Sequence, residues 1–138
     1  MYIPLLATLA LGLGTLNVDM LDCPQSPNCV SSLAVHPDRR IMPLHYPEGE
    51  REKAMLILLD LLRDLPRTEV VYQDQRVIRA VVSSALLRFK DDLEFHFDPA
   101  GPRIHLRSAS RSGYWDLGVN RNRVERLREA YERKMGNT

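Results

Sequence analysis

The sequence predicts an α+β domain: an antiparallel sheet of about four strands covered by two amphipathic helices, with a disulfide-closed loop at its N-terminal end. Three observations carry this expectation. Apolar residues recur at helical spacing from Glu50 to Leu65 and again beyond Asn120, the period switches to two between these stretches, and the only cysteines stand at positions 23 and 29. A chain of 138 residues with 44% hydrophobic content suits one domain with one core, here expected over 21–138, preceded by an apolar segment over 1–20.

Taken in order, residues Tyr2 to Leu16 are almost wholly apolar. As a helix this length covers only about 22 Å of a ~30 Å hydrocarbon core. It fits the apolar region of an export signal better than a membrane span, although no Lys or Arg precedes it. A weak membrane anchor and an ordinary core segment are the alternatives. Pro24 and Pro27 then restrict the chain between Cys23 and Cys29, so closing the ring loses little further freedom. A disulfide is the leading expectation and agrees with export to an oxidising compartment, the periplasm, cell envelope or a thylakoid-lumen-like space. A zinc site is the runner-up, since C-x-x-C spacing is absent and His36, His45, His96 and His105 do not stand at ligand spacing.

Leu33 to Gly49 carries three prolines without a period and reads as an irregular covering segment. In the following helix Ala54, Leu58, Leu61, Leu62 and Leu65 share one face, widened by Met55, Ile57 and Leu59, and Pro66 ends it. Thr68 to Gln73 and Arg76 to Ser84 are β-branched runs around a short polar turn, a hairpin signal. Leu93, Phe95 and Phe97, and then Ile104 and Leu106, alternate with polar residues on either side of the turn-like Asp98 to Pro102. The closing helix starts near Asn120 or Asn122, either able to cap it, and buries Val124, Leu127, Tyr131 and Met135. Arg121 with Glu125, Arg128 with Glu132 and Glu129 with Arg133 stand four apart, as supporting surface pairs do.

Charge is uneven along the chain. Residues 1 to 102 hold 10 basic and 14 acidic side chains, residues 103 to 138 hold 9 and 4, and Arg outnumbers Lys 16 to 3. Guanidinium groups present a planar fork to carboxylate or phosphate, so the joint from Arg107 to Glu125 is the candidate site for an anion. Arg107 ends a strand, Arg111 opens the loop, Asn120, Arg121 and Arg123 lie where a helix exposes N–H groups, and Tyr114 and Trp115 serve as walls. The competing expectation is that Asp116 and backbone carbonyls satisfy these arginines internally.

A non-catalytic binding module for a small anion or lipid head group is therefore favoured over an enzyme. Catalysis would fall to Asp91 and Asp92, or to Ser108 or Ser110 with His105 or His96 as base. No hydrolase, zincin, Walker or dinucleotide signature supports it, and no metal or cofactor is implied. A membrane-associated assembly factor, held through residues 2 to 16, is a further alternative, whereas a net charge of +1 argues against nucleic acid.

Three ordered motifs resemble the family known as domain of unknown function 1499, found in bacteria and plant plastids: Cys23-Pro-x-Ser-Pro-Asn-Cys-Val-Ser-Ser32, Phe89-x-Asp-Asp-x-x-Phe95, and Arg107-Ser-Ala-Ser-Arg-x-Gly-Tyr-x-Asp-Leu-Gly-Val-Asn-Arg-x-Arg-Val-Glu125. The resemblance runs from about Cys23 to the end of the closing helix and implies no activity. It adds weight to an exported domain. It also puts Cys23, Cys29, Asp91, Asp92, Ser110, Arg111, Asp116, Asn120 and Arg123 on motif positions.

Overall fold

Alternation decides the two sides of the sheet. Along the strand Lys90–Phe97 the residues Asp91, Leu93, Phe95 and Phe97 are buried, while Asp92, Glu94 and His96 between them are half-buried. The computed structural model describes residues 21–113 and 115–136, so the apolar stretch from Tyr2 to Leu16 and the side chain of Tyr114 lie outside the described residues.

The strands are β1 (Cys29–Ser31), β2 (Leu44–His45), β3 (Thr68–Gln73), β4 (Val77–Ser83), β5 (Lys90–Phe97) and β6 (Arg103–Ser110), and the helices are α1 (Arg51–Asp64) and α2 (Val119–Gly136). The sheet is antiparallel, ordered β1-β6-β5-β4-β3, with β2 also on β6. The long strands, both helices and the Cys23–Cys29 bond, with sulfurs 2.09 Å apart, agree with expectation. The bond also removes both sulfurs as zinc ligands. The strand count is six rather than four. The outer edge of β6 would otherwise leave a row of backbone groups without partners, and two short pieces of the covering segment take them: Val30 lies opposite Ser108, and Leu44 opposite Ile104.

Leu58 and Leu62 of α1, Val124, Leu127 and Tyr131 of α2, and Ile78, Leu93, Phe95, Ile104 and Leu106 of the sheet form one core between the helices and one sheet face. Tyr131 is almost fully buried and donates its hydroxyl to the His45 carbonyl at 2.9 Å, and burial raises its pKa further. Two local expectations are corrected. β6 runs on to Ser110, so the strand does not end at Arg107 and takes in Ser108 and Ser110. The surface pairs on α2 are not four apart: Arg128 meets Glu125 at 3.2 Å, and Arg121 reaches the Asp38 carbonyl at 2.6 Å. The long guanidinium arms thus bind the covering segment to the helix instead of decorating one face.

Candidate functional site

Strand parity separates the predicted arginines. Ser108 and Ser110 share the core-facing side with Ile104 and Leu106, so Arg107 on β6 and Arg111 just beyond it project to the opposite side. There Arg107 donates from Nε to the Asp22 carbonyl at 3.0 Å and sits 3.8 Å from Glu94, itself 3.1 Å from Arg79. Arg111 grips Asp92 with Nε and Nη2, at 2.9 and 2.8 Å. Glu94 is held below the usual glutamate range by the adjacent His96, whose attraction together with Arg107 and Arg79 outweighs burial.

On the core-facing side, at the same end of the sheet, a second set converges. Asn120 is fully buried; its Oδ1 accepts from Ser108 Oγ at 2.6 Å and Arg123 Nη1 at 2.8 Å. Its Nδ2 donates to the Asn28 carbonyl, Ser110 Oγ and Asp116 Oδ2 at 3.1, 3.0 and 2.8 Å. Arg123 closes the set on Asp91, Nη2 to Oδ2, at 2.6 Å. Asp116 does not pair with the arginines. Its carboxylate accepts the N–H groups of Gly118 and Asn120, which places an anion at the first turn of α2 and takes the capping role expected of Asn120 or Asn122. Gly118, at φ +79°, lets the chain turn into the helix there.

Of the predicted anion contacts, Arg107 and Arg111 therefore lie on one side of the sheet and Asn120 and Arg123 on the other, each pair already holding carboxylates or carbonyls. Trp115 and Arg121 do come together, beside Pro27, Cys29, Arg39 and Leu117 around a hollow of about 370 Å³, where Arg121 is engaged with the Asp38 and Arg40 carbonyls. The suggested catalytic groups do not assemble. Ser108 and Ser110 face the core, whereas His96 and His105 stand opposite each other on the other side. His105 meets a residue that spacing did not flag: Nδ1 lies 3.2 Å from Ser32 Oγ and Nε2 3.2 Å from Asp98. Ser32 and His105 are both buried, and Ser32 Oγ accepts the Leu106 N–H at 3.0 Å, so this chain of contacts ties the covering segment to β6.

A cleft of about 540 Å³ opens between α1, α2 and the ends of β3 and β4. Leu61, Leu65, Val82 and Leu127 give it an apolar floor, and Arg67, Asn122, Arg123 and Arg126 line it as well. Arg123 is engaged by Asp91, and Arg67 Nε donates to the Ser83 carbonyl at 3.0 Å. Arg126 is exposed and has no ion-pair or hydrogen-bond partner among the described residues. No local pattern pointed to this cleft, because it joins residues from Leu61 to Ala130 that no single motif contains.

A family model described as a protein of unknown function, DUF1499, matches residues 19–131. The chain belongs to the DUF1499 family. No curated protein matches it. The residues that carry the DUF1499 resemblance, among them Asp91, Ser110, Asp116, Asn120 and Arg123, are the ones that fasten α2 to β5 and β6. Those motif residues build a clamp, and Arg126 and the apolar cleft floor lie outside all three motifs.

Proposed function

We propose that this chain is a non-catalytic binding module for a small anion with an apolar body, such as an alkyl carboxylate or phosphate, held in the cleft between α1 and α2. The observation that carries the reading is the pairing of an apolar floor with the partnerless Arg126. A guanidinium at the rim can take the head group while Leu61, Leu65 and Leu127 cover the tail, the usual division of labour in a ligand pocket. Asn122 adds an amide beside the same rim. Arg107 and Arg121 then serve to hold the fold, Arg111 is taken up by Asp92 at the surface, and of the predicted anion contacts among the described residues Arg123 alone borders the ligand. The disulfide favours work in an oxidising compartment, and so we read the chain as an exported accessory domain.

The test is a thermal-shift series on the full chain with alkyl carboxylates and alkyl phosphates of increasing length. A ligand at 100 times its Kd stabilises by about 2.7 kcal/mol, which is visible in a domain of this size. The shift should grow with chain length and shrink in Arg126→Ala. Equal shifts for charged and uncharged head groups, or a response indifferent to Arg126, would remove the anion from the reading.

A further inference from the structure

Six of the eleven large apolar side chains exposed among the described residues lie on two neighbouring segments: Leu86, Leu87 and Phe89 on the loop between β4 and β5, and Trp115 and Leu117 on the loop between β6 and α2 with Val119 at the start of α2. The loops leave the same end of the sheet. Ser83 pairs with Lys90, Asp91 with Ser110, and the Arg111 N–H reaches the Lys90 carbonyl at 3.0 Å, so the two loop bases are joined. We propose that this end of the molecule docks on an anionic bilayer surface, with both loop tips entering the interface. This reading is independent of the cleft ligand.

The exposure belongs to an ordered loop. Ser84 N–H donates to the Phe89 carbonyl at 2.8 Å and Phe89 N–H to Ser84 Oγ at 2.9 Å, which closes the loop at its base and leaves Leu86 93% and Leu87 71% exposed beyond it. On the other loop Leu117 is 94% exposed. Charge specifies the partner. Arg88 and Lys90 are exposed and without ion-pair partners among the described residues; nearby, Asp91 is held by Arg123, Asp92 by Arg111 and Asp116 by the N–H groups of Gly118 and Asn120, so Glu69 alone faces the three cations Arg67, Arg88 and Lys90 around their shared hollow. Apolar tips ringed by unneutralised cations match a bilayer of apolar interior and anionic head groups. Two narrow tips also suit a deformable bilayer better than a protein interface, which needs about 800 Å² of matched surface per partner.

The only tryptophan of the chain lies on one of the two loops and reports on the docking directly. The full chain is mixed with vesicles of phosphatidylcholine plus phosphatidylglycerol, and with phosphatidylcholine alone, while Trp115 emission and its quenching by brominated acyl chains are followed. Anionic vesicles should shift the emission to the blue and quench it. Leu86→Ser with Leu87→Ser should weaken vesicle partitioning about tenfold, about 1.4 kcal/mol, and Arg88→Glu with Lys90→Glu should abolish the preference for phosphatidylglycerol. Both variants keep the wild-type melting temperature and the ligand shift of the cleft, which separates failure here from failure of the binding reading. A chain that co-sediments with vesicles while Trp115 stays in water is held by residues 2 to 16, and the proposal falls. It falls equally if the blue shift rises with protein concentration in the absence of lipid, since the loops then meet a second copy.

Discussion

Replacing Asn120 with Ala should destabilise this domain by about 3 kcal/mol, from the loss of several buried hydrogen bonds net of solvation. The figure follows from what the amide does. It is fully buried, it accepts from Ser108 and Arg123, and it donates to the Asn28 carbonyl, Ser110 and Asp116. Truncation leaves the Asn28 carbonyl without that donor and removes one of the acceptors that orient the Arg123 guanidinium, so desolvation costs add to the lost bonds. At roughly 4 °C per kcal/mol for a domain of this size, the melting temperature should fall by roughly 12 °C. Thermal melts with urea titrations at constant m-value measure it. A loss below about 1 kcal/mol, the worth of one ordinary hydrogen bond, would mean that the clamp is solvated or dispensable. A wild-type melt combined with a lost ligand shift would return Asn120 to the role of an anion contact.

Three further outcomes are expected. Cys23→Ala with Cys29→Ala should cost about 2 kcal/mol by the loop-closure relation for so short a ring, and equal denaturant midpoints for the two forms would contradict it. Glu94 has its folded pKa lowered, so its contribution to stability is present above the unfolded value and is lost as the pH falls below about 4.3 and through the folded value. Glu94→Gln should therefore flatten the acid side of a stability–pH profile, and an unchanged acid limb would refute the assignment. Arg111→Ala should leave the melting temperature nearly unchanged, because its pair with Asp92 is largely solvated. An early melt would instead make that pair structural.

The long elements were legible because each carries a period. The stripe of Ala54, Leu58, Leu61 and Leu62 and the alternation of Leu93, Phe95 and Phe97 are statements about neighbours in sequence, and the structure keeps them. β1 and β2 have three and two residues, too few for any period, and they exist because β6 has an edge to cover. Two signals at the site were within reach. Ser108 and Ser110 continue the parity of Ile104 and Leu106, which extends the strand and turns Arg107 and Arg111 away from Arg123. Asn120 stands four before Val124 and seven before Leu127, on the buried stripe of α2, a position more consistent with an interior amide than with a solvent-facing cap. What no local pattern could supply was the cleft, whose walls meet only when α1 and α2 lie side by side on the sheet.

The clamp and the basic surface are two consequences of one arrangement. Residues 103 to 138 carry 9 basic and 4 acidic side chains, and of those four Asp116 is turned inward onto backbone N–H groups while Glu125 sits 3.2 Å from Arg128. From β5, Asp91 is drawn under α2 by Arg123, and Asp92 is covered by Arg111 on the other side. Asp91, Asp92 and Asp116 are thereby engaged, which leaves Glu69 as the carboxylate beside Arg67, Arg88 and Lys90. Arg67, Arg88, Lys90 and Arg126 are left without an acidic partner among the described residues, one pair of them beside an apolar cleft and the other beside apolar loop tips. A field of one sign over low-dielectric surface draws anions from solution. The residues that fix the fold thus also set the charge of the surface that meets a ligand.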